Sequence, residues 1–148
     1  MKTLSIEMLT PPRVEILWPK VEPLLKLSCE SNEVGAFDIA PYDIYRLAKS
    51  EQAVVFAAFE NKTLVAVLAF QFHMTNGKKG ADVIAMAGKN LLTLKAAFWQ
   101  PILDWLKANG VEFVDAYARP NLAHVYAKKF GFNKSCTMVR MTFEGDAR

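Results

Sequence analysis

Two spacings of apolar residues succeed one another along this chain, and each change of spacing marks a change of element. Thr3 to Leu9 alternates, with Leu4, Ile6 and Met8 set against Ser5 and Glu7, which predicts a half-buried strand ended by Pro11-Pro12. From Arg13 to Glu30 the apolar residues Val14, Leu17, Trp18, Val21, Leu24, Leu25 and Leu27 follow a helical period. Pro19 and Pro23 each remove an amide donor there, so the helix is expected to kink or restart. Ser31–Ala40 reads as a loop near the acids Glu30, Glu33 and Asp38, and Pro41-Tyr42-Asp43 opens a second helix reaching about Ser50.

Ala53–Phe59 and Leu64–Met74 are strand-like runs around Glu60-Asn61-Lys62, a hairpin by turn composition. Thr75 to Gly80 reads as a second hairpin turn, followed by a short strand over Asp82–Ala87. Asn90–Asn109 is helical by pattern, with Leu91, Leu94, Phe98, Ile102, Trp105 and Leu106 on one side and a bend expected at Pro101. A strand from Val111 to Tyr117 follows. A helix opening at the N-cap residue type Asn121 then ends at Gly131, and a last strand runs from Ser135 to Phe143. The predicted order is β-α-α-β-β-β-α-β-α-β. The strand–helix–strand unit implies parallel pairing late in the chain, and the hairpins imply antiparallel pairing before it.

Composition narrows the class. At 148 residues, with 52% hydrophobic and 22% charged residues, the chain is one globular domain that can bury a core. Its longest apolar run, residues 64–72, is too short to span a bilayer and fits a buried strand. MKTLSIEMLTPPR lacks the apolar core and cleavage site of a signal peptide, so a cytoplasmic location is expected. Cys29 and Cys136 lie far apart with no clustered histidine, which predicts reduced thiols and no metal centre. The net charge of +3 is spread over dispersed lysines, which suits an anionic ligand better than nucleic acid.

The order of elements, with Val125-Tyr126-Ala127-Lys128-Lys129-Phe130-Gly131-Phe132 near its end, resembles the GNAT acyltransferase superfamily. The resemblance implies a mixed, mostly antiparallel α/β sheet with helices on both faces and splayed parallel fourth and fifth strands. It also implies acetyl-CoA as co-substrate and an amine, on a small molecule or a protein, as acceptor, and it leaves a homodimer open. Pantetheine would pair with the backbone of the fourth strand at Ile84, Ala85 and Met86. Pyrophosphate would rest on Gly88, Lys89, Asn90, Leu91, Leu92, Thr93 and Lys95, at the start of the next helix. The family spaces this loop R/Q-x-x-G-x-G/A, so Asn90 stands for the basic residue and Thr93 and Lys95 for the glycines.

By the same resemblance Tyr126 is the candidate general acid for the leaving thiolate, although one extra residue separates it from Gly131-Phe132, and a packing or surface position is the alternative. Asn121 would serve pantetheine, the helix cap, or both. An amine of pKa about 10.4 must shed a proton before it attacks. Asp115 is the candidate base, with Asp82, His73 and His124 as alternatives. A second reading stays open, in which the fold is a catalytically silent binding or structural module. Small GNAT-like proteins of tailed phages have similarly eroded phosphate loops, and the chain is similar to them in this respect.

Overall fold

The computed structural model describes residues 3–30, 40–88, 91–116 and 127–133, together with 141 and 143. Two Asn-containing turns organise its centre. Asn61 and Lys62 have φ of 50° and 72°, and Asn76 and Gly77 have φ of 53° and 76°. Paired positive φ values are those of a two-residue I′ turn, whose twist matches that of the strands it joins. Strand β2 (Ala53–Glu60) therefore turns directly into β3 (Thr63–Thr75), and β3 into β4 (Lys78–Gly88). The second turn is two residues rather than the six expected, and β4 is correspondingly longer than Asp82–Ala87.

With β1 (Leu4–Leu9) and β5 (Val111–Ala116), these strands form one sheet in the order β1-β2-β3-β4-β5. All neighbours are antiparallel except β4 and β5, which are parallel.

Helix α1 (Pro11–Glu30) runs as one helix through Pro19 and Pro23, so it does not restart at either. Both prolines are exposed, on the side where water can take the place of the lost intrahelical bonds. The opposite side buries Val14, Leu17, Val21 and Leu25. Pro11 and Pro12 start this helix instead of merely ending the strand. Val14 donates to the Thr10 carbonyl at 2.9 Å, so both prolines fall in the first turn, where an amide donor is not needed. Helix α2 (Pro41–Lys49) buries Ile44 and Ala48, and Asp43 accepts from the Ala40 amide at 3.0 Å at its start.

α1 and α2 share a core with Val55, Ala57, Val67, Ala69 and Ala87 of the sheet. Helix α3 (Leu91–Ala108) covers the other face, packing Trp99, Ile102 and Leu106 on Phe56, Phe70, Ala81 and Val83. Pro101 is exposed on α3 and does not end it. Trp99, absent from the expected apolar side, is its anchor: the indole N–H donates to the Phe130 carbonyl at 3.2 Å, and the ring meets Phe130 edge-on. Among the described residues no helix is long and apolar enough to cross a membrane.

Residues 31–39, 117–126 and 134–140 lie outside the described set, and with them most of the predicted acidic loop, most of the predicted last helix and the last strand. Ala127–Lys129 are helical, and Gly131 follows with φ of 83°, the left-handed geometry expected there.

Candidate functional site

β4 carries the features that single out one region. Phe70 pairs with Val83 while Ala69 pairs with Ala85, so Ile84 is an extra residue, a bulge. The bulge turns Ile84 and Ala85 both toward the α1 and α2 core, whereas Val83 and Met86 face α3. It also falls where the described parallel pairing with β5 stops, at Val83 opposite Ala116. From Ile84 to Gly88, β4 keeps β3 as its neighbour on one edge and has no described partner on the other.

At the end of β4 the chain must turn sharply into α3. Gly88 has φ of 149°, and a Cβ there would collide with the Val65 carbonyl oxygen and with Ala66. Only glycine fits this position. The turn delivers the free amides and positive dipole end of α3 close to the end of β4, a suitable place for an anion. Of the residues proposed for that anion, Gly88 therefore has a backbone reason to be glycine. Lys89 and Asn90 lie outside the described residues, and for Leu91, Leu92 and Thr93 only the helical backbone is described. Lys95 lies one turn above Phe98 and Trp99 and, with Ile102, lines an apolar cavity between α3 and the sheet. It thus extends the sheet-facing stripe of the helix.

Just below the bulge three polar side chains converge from three strands. Ala81 and Val83 pack under α3, so Asp82 between them projects to the other face. Phe72 contacts Trp105 of α3, which sends His73 to that same opposite face, and Val114 and Ala116 do so for Asp115. Asp82 and Asp115 sit directly across the parallel pair, and His73 pairs with Gly80. One donor atom from each of the three lies within 4.8 Å of the other two, and His73 Nδ1 approaches Asp82 Oδ2 to 3.0 Å. That approach is not aligned as a hydrogen bond. Both His73 Nδ1 and Asp82 Oδ1 are buried atoms that make no aligned hydrogen bond among the described residues.

Gly80 makes the arrangement sterically feasible: a Cβ there would strike the Phe113 ring and stand 2.7 Å from His73 Nε2. The imidazole lies in the space a side chain would fill, edge-on to Phe113 with centroids 5.3 Å apart.

Burial is the main cause that raises the Asp82 pKa above the usual carboxylate range. The neighbouring His73 works against it, and repulsion from Asp115 adds to it. No described lysine or arginine pairs with either carboxylate.

The sequence named Asp115, Asp82 and His73 as separate alternatives, and the fold brings them together. What sequence reasoning lacked was the partner of each. The two-residue turn at Asn76-Gly77 fixes the register that sets His73 beside Gly80 and near Asp82. His124, Asn121 and Tyr126 lie outside the described residues.

No family model and no curated protein sequence matches this chain. Its fold does match solved structures. An aminoglycoside acetyltransferase from an uncultured soil metagenomic sample superposes with TM-score 0.70 at 15% identity, over 96% of this chain and 99% of that one. A predicted acetyltransferase from Clostridium acetobutylicum, solved with acetyl-CoA, gives 0.68 at 15% identity over 95% and 96%. A ribosomal-protein-alanine N-acetyltransferase from Brucella melitensis gives 0.69 at 13% identity over 94% and 99%. The fold is that of the GNAT acetyltransferases, as the order of elements implied. The likeness to phage proteins finds no support in these neighbours.

Proposed function

We propose that this chain is an acetyl-CoA-dependent N-acyltransferase working where β4 departs from β5. The observation that carries the reading is the bulge at Ile84, set at the last described rung of a parallel pair and followed by the Gly88 turn into α3. In this reading pantetheine adds along the edge of β4 away from β3 at Ile84, Ala85 and Met86, as an extra strand would. The pyrophosphate meets the α3 amides from Gly88 to Thr93. A β4 amide freed by the bulge donates to the thioester carbonyl oxygen, where negative charge grows in the transition state.

The acceptor arrives as an ammonium, drawn by the negative charge of Asp82 and Asp115, and gives up a proton to solvent. Its nitrogen then attacks the carbonyl carbon, an N–C bond forms and the C–S bond breaks; the thiolate takes a proton from Tyr126, and the second proton shed by the acylated nitrogen passes through water to restore the tyrosine hydroxyl. Most of the rate comes from holding nitrogen and carbonyl in line. Asp115, proposed from sequence as the base, serves in this scheme as part of the anionic floor under the acceptor. A second metagenomic aminoglycoside acetyltransferase, solved with sisomicin, has the same fold with TM-score 0.68 at 15% identity, and it supports a small amine acceptor. A cytoplasmic setting goes with this chemistry.

One observation favours the silent-module reading instead. Lys95 stands where the family has a glycine, and it lines the cavity under α3. Calorimetry of the protein with acetyl-CoA and with CoA separates the two. The enzyme reading requires micromolar dissociation constants. Binding of about 1 mM or weaker, worth only about −4 kcal/mol, leaves the silent module.

A further inference from the structure

The geometry points to a divalent transition-metal site formed by His73, Asp82 and Asp115, with the imidazole Nδ1 and one oxygen from each carboxylate as ligands. Three observations carry it, and none depends on acyl transfer.

The first is spacing. Metal–nitrogen and metal–oxygen bonds of about 2.0–2.2 Å put ligand atoms at right angles about 3 Å apart. His73 Nδ1 and Asp82 Oδ2 are 3.0 Å apart without hydrogen-bond alignment, a separation suited to two atoms facing a common third. The remaining donors, within 4.8 Å, need to draw in by up to about 1.8 Å, which calls for rotation of the Asp115 carboxylate together with a small shift of its strand.

The second is unmet bonding capacity. Among the described residues Asp82 Oδ1 is buried and makes no hydrogen bond, and His73 Nδ1 has only its misaligned approach to Asp82 Oδ2, whereas buried polar atoms in folded proteins are ordinarily satisfied. Two carboxylates opposite each other on neighbouring strands, with no described lysine or arginine beside them, also call for a cation.

The third is construction. A glycine inside a strand weakens it, and at Gly80 that weakness is matched by room for the His73 ring, which Phe113 backs on one side.

One imidazole and two carboxylates favour zinc, manganese, iron or cobalt over magnesium and calcium, which take oxygen ligands. The metal would occupy the same carboxylates that attract the acceptor ammonium, so loading it should weaken amine binding. The sequence reading, guided by cysteine spacing, expected no metal, because these ligands are brought together only by strand register.

The test is titration of the full-length, chelator-treated protein with Zn²⁺, Co²⁺ and Mg²⁺ by calorimetry, with visible absorption of the Co²⁺ form. The expected result is one Zn²⁺ or Co²⁺ per chain, with Mg²⁺ at least tenfold weaker. His73→Ala and Asp115→Asn should each weaken Zn²⁺ by tenfold or more, in proteins whose circular dichroism is unchanged. If His73→Ala fails to fold, His73→Gln and Asp115→Asn carry the comparison. Absence of Zn²⁺ binding by the unmodified chain overturns the proposal. So does Zn²⁺ affinity that survives both substitutions, or a cobalt spectrum with thiolate charge transfer, which would move the ion to a cysteine.

Discussion

Replacing Gly80 by alanine tests the arrangement of the polar cluster without removing any of its members. The new Cβ would strike the Phe113 ring and stand 2.7 Å from His73 Nε2, where ordinary carbon contacts are about 3.5–4 Å. The two rings must therefore retreat by about 1 Å. Forcing an extra carbon into a packed site costs about 1–3 kcal/mol. Alanine regains about 0.5–1 kcal/mol by restricting the unfolded chain, since Gly80 is not among the glycines with positive φ. The net loss is about 1–2 kcal/mol. For a domain of this size that lowers Tm by about 2–8 °C.

Thermal unfolding followed by circular dichroism reads the stability, and the imidazole ¹H–¹⁵N resonances of His73 report whether its ring has moved. Gly77→Ala is the control. No atom lies within 4 Å of its Cβ, but its φ of 76° is strained for alanine, so it should cost about 1–2 kcal/mol and leave the His73 resonances in place. A Gly80→Ala protein with unchanged or raised Tm and unshifted His73 signals would refute the reasoning.

Trp99→Phe should cost about 1–2 kcal/mol, because the Phe130 carbonyl loses its indole donor, while Trp99→Ala should cost about 3–5 kcal/mol through the cavity it leaves. Equal denaturation midpoints for the two variants would contradict that ranking. The Glu7 carboxylate accepts from Arg13 at 2.7 Å and 3.0 Å, and this hydrogen bond holds its pKa below the usual value. Its stabilisation is therefore complete above the unfolded-state pKa and fades as pH falls through the lower folded one. Glu7→Gln should remove that part of the acid dependence, and pH–stability curves that stay parallel would argue against the pair.

The order of elements and the placement of the helices were legible in the sequence because they follow from the period of the apolar residues. Strands β2 and β3, the stripe Val14, Leu17, Val21 on α1 and the left-handed Gly131 all follow from local rules. The readings that failed depended on surroundings. Pro19 and Pro23 leave open a restart of the helix until solvent is known to lie on their side. The Thr75–Gly80 segment looks like a long turn until Asn76-Gly77 is seen to complete it alone.

The bulge at Ile84 has no mark in the sequence, since an extra residue in one strand is defined only against its neighbour. The cluster was half legible: His73, Asp82 and Asp115 were each named, and only the register makes them one site. An earlier signal existed in Gly80, an otherwise unfavourable residue for a strand interior, two positions before Asp82.

The central claim is acyl transfer at the departure of β4 from β5, and the direct measurement is release of free CoA thiol from acetyl-CoA. The protein should be mixed with acetyl-CoA and a panel of primary amines that includes aminoglycosides and polyamines. The account predicts release that depends on the amine, saturates with it, and falls by about 10²-fold or more in Tyr126→Phe if that hydroxyl is the general acid. A protein that binds acetyl-CoA yet releases thiol no faster with any amine than without one would contradict the claim.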